Sequence, residues 1–421
     1  MKSAESTKLA SLRPQAIRVS RLINSPLRVG VTSLVLAAIF AFIRTVIAGH
    51  GHIGSLVLAG SDHINANRTP KGLPYVVGQG YDGQFYYRMA LDPFNFSKTF
   101  HGITIDTIAR FQRIVYPFVV WVLSLGSHLL TPYMMVAVNI VGIGVIGFLG
   151  AVIASRANRD PLFGLAFSGF FGFVMSLSRD LTEITEAAFL LAGLLAYLSH
   201  RSVLAGIFLA LAVLSKEPTV IVVAGLGLSE IAAQLLPRFF APNNSGIGDP
   251  SVPVNLRKRN AWSRNAIWLI PLLTFSAWQF VIREQTGRIP ILSVSGHNAG
   301  VPLVGFVQGL QNYFSSISSP TTILWLLELV LLVYIGVLAF VHFRDSTAPN
   351  ALKWALIILS ISILFYQKIV WVGAADFRML DDFYLIALII ALFSKVKFNA
   401  YNLFLSALTG LALLQGMLRL D

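Results

Sequence analysis

The chain has 421 residues, 55% of them hydrophobic and 12% charged, a balance that excludes an ordinary soluble domain and indicates a polytopic protein of the lipid bilayer. Its formal net charge of +13 fits basic loops on one side of a membrane, and we expect no nucleic-acid binding because no basic stretch is interleaved with base-stacking aromatics. The lack of cysteine excludes disulfides, thiolate metal sites and cysteine nucleophiles.

A basic leader, residues 1–28, precedes the first apolar run, Val29 to Gly49. This run is too long for a signal-peptide core, so we expect a retained anchor with a cytosolic N-terminus. A helix needs about 20 apolar residues to cross roughly 30 Å of hydrocarbon. The pattern therefore predicts an all-α membrane protein of about eleven transmembrane helices, which begin near Val29, Tyr133, Pro161, Thr185, Val203, Thr219, Ala266, Thr322, Leu352, Asp382 and Tyr401.

Loop charges favour one topology. If the ambiguous segment Ile114 to Leu130 does not cross, the basic loops all lie in the cytosol with the leader; if it crosses, they all lie outside. The first arrangement predicts a long outer loop at 50–131 within a membrane module at 29–236. A cytosolic loop at 237–265 and C-terminal membrane helices at 266–421 follow. The apolar block after Val203 is too long for one span, and we expect it to break at Lys216-Glu217-Pro218.

The stretch GYDGQFYYRMALDPF, Gly80 to Phe94, predicts a short amphipathic helix on the outer loop. Asp82 either caps this helix, with the aromatics as an interfacial belt, or stands at a cavity as a base or cation ligand. In the second interpretation Gln84, Tyr86 and Tyr87 are candidates for contacting a ligand in that cavity.

A second acidic segment, SRDLTEITE, lies between two predicted spans. Asp180 and Glu183 match a D-x-x-E capping box, but acids beside an arginine at a membrane end also suit a charge network at a substrate site. Asp180 is the candidate second catalytic carboxylate, and Glu183 is the alternative candidate for that role.

Three cations from distant parts of the chain lie on the predicted outer face and suit a phosphate: Arg113, Lys216 and Arg378. Lys216 could instead snorkel from a helix end or pair with Glu217. The eight histidines show no ligand spacing, and the chain contains no HExxH motif, phosphate-cradling Gly-rich loop or GxSxG elbow. These absences count against zinc, ATP and hydrolase-triad sites, so the residues predict no metal site.

The strings YDGQFYY, RFQRIVYP and LSKEP, with one span before a long outer loop, resemble the GT-C superfamily of polyprenyl-phosphate-sugar-dependent glycosyltransferases. Among its members, bacterial aminoarabinose and protein O-mannosyl transferases and membrane proteins of cell-surface glycopolymer formation are the most similar. The resemblance implies a GT-C fold, with the family's two acids at Asp82 and Asp180 and its phosphate-facing cations at Arg113, Lys216 and Arg378. It also makes a further set of residues candidates for binding the substrate, with the tyrosines placed to contact the sugar: Gln84, Tyr86, Tyr87, Glu183 and Glu217.

The chain departs from that family at Gly83, because many relatives carry Asp-Glu where this chain has Asp-Gly. The resemblance therefore implies no certain cofactor, and a divalent cation, Mg or Mn, stays open. The implied reaction moves a sugar from a polyprenyl-phosphate donor to a glycan, lipid or protein acceptor at the outer face of the cell (inner) membrane. A transporter or flippase of a lipid-linked sugar and a non-catalytic membrane scaffold remain alternatives.

Overall fold

The computed structural model describes residues 25–235, 254–293, 300–314, 320–372 and 374–396. Within these ranges the protein is mostly helical, with two small two-stranded sheets in the loop that follows the first long helix. The described part of the chain thus confirms the predicted helical class.

Helix α1 is followed by the long loop, residues 50–131, which carries short elements. Strands β1 and β2 pair in parallel, and β3 and β4 pair antiparallel. In chain order the elements are α1 (Pro26–Ile47), a 3₁₀ helix (Ile53–Val57), β1 (Ala59–Gly60), β2 (Tyr75–Val76), α2 (Gly83–Leu91), β3 (Thr99–Phe100), β4 (Ile103–Thr104), a 3₁₀ helix (Ile108–Gln112) and α3 (Val115–Ser124).

Helices α4 to α9 form the middle of the chain. They are α4 (Thr131–Arg156), a 3₁₀ helix (Pro161–Phe163), α5 (Gly164–Ser168), α6 (Phe171–Leu177), α7 (Glu183–Leu198), α8 (Ser202–Ser215), a 3₁₀ helix (Glu217–Thr219) and α9 (Val220–Leu235).

The last described part holds α10 to α15. It comprises α10 (Val254–Thr286), α11 (Val304–Phe314), α12 (Pro320–Val341), α13 (Asn350–Leu364), α14 (Lys368–Val372), a 3₁₀ helix (Ala374–Leu380) and α15 (Asp381–Leu392).

Five helices of the described residues are long and apolar enough to cross a membrane: Pro26–Ile47, Thr131–Arg156, Glu217–Leu235, Asn265–Thr286 and Thr322–Val341. Shorter apolar helices are Val115–Ser124, Ser202–Ser215 and Asn350–Leu364. These lengths are compatible with a multi-pass membrane protein. Helix α3 has 10 residues, and at about 1.5 Å per residue it is only half as long as a crossing requires.

The segment predicted to cross from Pro161 contains no continuous helix of spanning length. Gly169 ends α5 and Phe170 has an extended backbone, so this segment consists of helices of 5 and 7 residues joined by a bend. The span predicted from Tyr401 lies outside the described residues. The predicted break is confirmed, because α8 ends at Ser215, Lys216 is extended, and a 3₁₀ turn that contains Pro218 leads into α9.

Two apolar clusters position the site. The larger one lies where α1 packs on α4, α8 on α7 and α10, α9 on α13, and α12 on α15. The smaller one joins α2 and α3 of the long loop to α4, with Phe85, Phe111 and Tyr116 among its buried rings. Charged residues of the long loop therefore meet charged residues of the helix ends between two packed cores.

Candidate functional site

A cavity of about 370 Å³ lies between the long loop and the segment around Arg378. Five charged residues line it: Asp82, Asp106, Arg110, Arg113 and Arg378. Polar residues His63, Gln79, Tyr81 and Gln84 and apolar residues Phe85, Ile369, Val370 and Met379 complete most of the lining. The lining thus combines a strongly charged set of residues with an apolar set, called here the charged wall and the apolar wall, and Ile369 of the apolar wall is 59% exposed.

Asp82 lies at the centre of the charged wall. One of its oxygens, Oδ2, lies 2.7 Å from Nη1 of Arg110 and 3.3 Å from Nη2 of Arg378. Although Asp82 directly precedes α2, its side chain makes no capping hydrogen bond. The interpretation of Asp82 as a simple helix cap is therefore wrong, and its carboxylate instead joins two cations that are distant in the sequence.

The two arginines control the ionisation of Asp82. Burial by itself would raise the pKa of Asp82, but the charges of Arg110, Arg378 and Arg113 outweigh burial and lower this pKa from 3.8 to about 2. Because the folded-state pKa is the lower one, this pairing stabilises the fold above pH 3.8 and loses its effect as the pH falls to about 2. Asp82 is therefore fully ionised near neutral pH.

The glycine after Asp82 has a packing reason. A Cβ atom at Gly83 would lie 2.2 Å from the carbonyl oxygen of Arg179 and 2.7 Å from that of Val57. No side chain fits there without a shift of backbone, so the second acid of the resembling family cannot be accommodated at this position.

Arg113 is held from two sides. Its Nε and Nη2 donate to the carboxylate of Glu217, each at 2.8 Å, and its Nη1 donates to the hydroxyl of Tyr86 at 2.8 Å. Arg113 lines the cavity, whereas its two partners lie behind it. Glu217 and Tyr86 therefore position the cation, and the cavity wall offers neither of them to a substrate.

Arg378 and Lys216 connect the cavity to the membrane helices. Arg378 pairs with Glu183 at the start of α7, and Lys216 pairs with Asp381 at the start of α15. The ammonium of Lys216 also lies 3.5 Å from the carbonyl oxygen of Arg378. Lys216 is 1% exposed and does not line the cavity. The prediction that it belongs to a phosphate clamp at the cavity is thus not supported by its position.

Asp180 does not line the cavity. It is 0% exposed and adopts a left-handed backbone (φ 50°), and its Oδ1 lies 3.5 Å from the amide nitrogen of Asn139. Helix α7 begins at Glu183 with Thr182 at its cap, so the predicted capping box does not form. Neither Asp180 nor Glu183 is among the lining residues, and the structure therefore gives no geometric support for Asp180 as a second catalytic acid.

The predicted sugar-binding side chains are differently placed. All nine residues of α2 are buried, so its tyrosines form no exposed interfacial belt. The hydroxyl of Tyr87 donates to the carbonyl oxygen of His128 at 3.4 Å. Gln84 lines the cavity, but its amide bonds to the backbone of Gly60 and Gln79. Gln84 thus braces the loop next to the site.

Sequence reasoning missed Arg110. Its guanidinium donates two hydrogen bonds to the carboxylate of Asp106, at 3.1 Å and 2.8 Å, and also contacts Asp82. The guanidinium carbon lies 5.0 Å from the centroid of the Phe85 ring. A signal was present, because Asp106 and Arg110 are oppositely charged and four residues apart in the sequence, and Arg110 stands three residues before Arg113.

The acids of the cavity wall, Asp82 and Asp106, are both engaged by Arg110, which leaves them poorly suited to a metal ion. Among the described residues, the acids that converge with metal-ligand spacing are instead Glu186, Asp381 and Asp382, below the cavity. We compared the chain with protein families, with curated proteins and with solved structures, and none of them matches it.

Proposed function

We propose that the protein is an integral-membrane glycosyltransferase of GT-C type, with about eleven spans and its site at the outer face of the cell (inner) membrane. It moves a sugar from a polyprenyl-phosphate donor to a hydroxyl or amine of a cell-surface glycan, lipid or protein. The observation that carries this proposal is the convergence of Arg110 and Arg378 on one oxygen of Asp82 inside a half-apolar cavity.

The charged wall has donors for a phosphate. A guanidinium carries five N–H donors, and the protein contacts of Arg110 account for three of them: two to Asp106 and one to Asp82. Arg113 likewise uses three, two to Glu217 and one to Tyr86. Both side chains therefore keep N–H groups for a phosphate without losing the carboxylates that hold them.

The apolar wall suits the carrier lipid. Ile369, Val370 and Met379 line the same cavity as the charged residues, and Ile369 is exposed. A polyprenyl phosphate joins an anionic head to a long hydrocarbon chain, so its two parts match the two walls. The arginines would bind its phosphate, and the apolar residues would bury part of its hydrocarbon chain, so both contribute to binding the same molecule.

The role of Asp82 as a base depends on the binding of the polyprenyl-phosphate sugar. With a pKa of about 2, this carboxylate is a weak proton acceptor while Arg110 and Arg378 face it. A donor phosphate on the same guanidinium groups offsets their charge and raises the basicity of Asp82. The acceptor oxygen then attacks the anomeric carbon and its proton passes to Asp82. The bond from that carbon to the phosphate oxygen breaks, and its electron pair leaves with the polyprenyl phosphate, which the arginines stabilise.

The test uses the purified full-length protein with a labelled polyprenyl-phosphate sugar. Asp82→Asn should lower the release of free polyprenyl phosphate by about 100-fold or more, the usual range for loss of a general base. Asp92→Asn is the matched control, because Asp92 is an acid of the same loop whose Oδ1 accepts from the backbone of Phe94. Normal release by Asp82→Asn would refute the assignment.

A transporter of a lipid-linked sugar is the second candidate. The pair Lys216 and Asp381, at 1% and 0% exposed, favours it because buried ionisable groups between membrane helices also mark transport paths. Reconstituted vesicles separate the two functions. Movement of the labelled donor across the bilayer without release of polyprenyl phosphate indicates transport, and release indicates transfer.

A further inference from the structure

Three carboxylates converge below the cavity, where α7 and α15 meet the turn before α9. Glu186, Asp381 and Asp382 each offer one oxygen, and these oxygens lie within 4.8 Å of one another. The hydroxyl of Thr219 lies 2.9 Å from Oε1 of Glu186 and 3.3 Å from Oδ2 of Asp382. Since the three acids are at most 2% exposed, water does not solvate their charges.

A second observation concerns the hydrogen bonds of these three acids. Oε2 of Glu186, Oδ2 of Asp381 and Oδ1 of Asp382 are buried and have no hydrogen-bond partner. A buried carboxylate oxygen without a donor costs a large part of its hydration energy. Three such oxygens in one cluster indicate that a positively charged ligand belongs among them.

The charges of the cluster point to the valence of that ligand. Lys216 neutralises one of the three carboxylates through its pair with Asp381, and the nearby guanidinium of Arg378 is paired with Glu183. Two negative charges remain, and one divalent cation would balance them. Carboxylate oxygens suit hard ions, and two oxygens on opposite sides of Ca²⁺ stand roughly 5 Å apart.

We propose that Glu186, Asp381 and Asp382 form a binding site for a hard divalent cation, Mg²⁺ or Ca²⁺, distinct from the cavity. The site does not depend on the transferase activity proposed above. A bound ion would tie α7 to the start of α15, the helix that directly follows the segment of Arg378. It would thereby fix the position of a cavity residue without contacting the substrate.

The experiment uses the purified full-length protein after treatment with EDTA. Its melting temperature should rise with CaCl₂ or MgCl₂ in a saturable way, whereas NaCl at equal ionic strength should have no such effect. Equilibrium dialysis with radioactive calcium, and competition by Mg²⁺, then gives the stoichiometry and the preferred ion. We expect about one ion per chain.

Asp382→Asn should weaken the binding at least ~10-fold, because loss of a ligand costs no less than loss of an outer-sphere partner. Asp62→Asn, at an exposed acid of the long loop, is the control and should bind as the wild type does. If Asp382→Asn does not fold, Glu186→Gln is measured in its place, and the dialysis of the wild type still tests whether the site exists. If the wild type shows no saturable binding at any pH at which it is folded, protons neutralise the cluster and the proposal is overturned. Unchanged binding by the folded variants does so as well.

Discussion

Arg110 links the two acids of the cavity wall. It grips Asp106 with two hydrogen bonds and reaches Asp82 with a third contact, while Phe85 covers one face of its guanidinium. Burial disfavours its charge, but the two carboxylates raise the pKa of Arg110 above its ordinary value, so it stays positive. This one side chain therefore contributes both to the proposed phosphate site and to the ionisation of Asp82.

Arg110→Gln should act on donor binding and on the pH profile together. Loss of a charged hydrogen-bond partner costs about 1.5–3 kcal/mol, so KM for the donor should rise by about 10-fold or more. Without that charge the pKa of Asp82 moves up from about 2 towards 3.8. The acid limb of kcat/KM should shift to higher pH accordingly. Steady-state rates measured from acid to neutral pH test both effects.

The control for this prediction is Arg68→Gln, because Arg68 is an exposed arginine of the same loop. Equal losses in the two variants would show that net charge, and not the position of Arg110, matters. An unchanged acid limb in Arg110→Gln would contradict the coupling of Arg110 to Asp82.

Gly83→Ala should destabilise the protein. The new Cβ would meet the carbonyl oxygen of Arg179 at 2.2 Å, and backbone cannot move aside as a flexible side chain can. We expect a loss of about 1–3 kcal/mol of unfolding free energy, measured by thermal or denaturant unfolding in detergent. Gly54→Ala is the control, because its Cβ would first meet a side-chain atom of Pro74 at 3.1 Å. Equal stability of Gly83→Ala and wild type would be inconsistent with this packing.

At the scale of elements, the break between α8 and α9 directs two adjacent side chains to different partners. Lys216 has an extended backbone and reaches Asp381 of α15, whereas Glu217, in the following 3₁₀ turn, reaches Arg113 of the long loop. A continuous helix would place neighbours about 100° apart around one axis and would leave no bend for a second direction. The break thus ties the long loop and the last described helix to one point.

The pair Arg113 and Glu217 should be energetically coupled. A double-mutant cycle of Arg113→Gln and Glu217→Gln should give an interaction energy of ~1 to 3 kcal/mol in unfolding free energy, because both side chains are mostly buried and joined by two bonds. Additive losses would show that the two residues act independently. The pair Arg68→Gln and Glu217→Gln is the control and should be additive.

At the scale of the molecule, the proposed function requires the long loop and the turn between α7 and α8 to lie on opposite sides of the membrane. The natural chain has no cysteine, so single cysteines report on sidedness directly. With an impermeant maleimide on intact cells, Asn67→Cys should react, and His200→Cys should react only after the membrane is opened. Both residues are exposed. Labelling of both in intact cells would reject the topology derived from loop charges.

The sequence by itself determined the membrane environment, the helical class, the break at Lys216 to Pro218 and the choice of Asp82, Arg113 and Arg378 as unusual charges. Hydrophobic run length, proline geometry and the rarity of charges in apolar surroundings are local properties, so they can be read without a fold. Hydrophobic run length did not reveal that the segment from Pro161, although apolar enough for a span, is bent and split into short helices.

Only the tertiary structure decided which charges meet. Asp82 pairs with residues 28 and 296 positions away, Glu186 meets Asp382 from another helix, and Asp180 is buried beside Asn139 and does not line the cavity. Electrostatic and hydrogen-bond partners depend on distances of a few ångströms between elements, and no local pattern encodes those distances. The same is true of Gly83, whose lack of a side chain is explained by a carbonyl group nearly a hundred residues later in the chain.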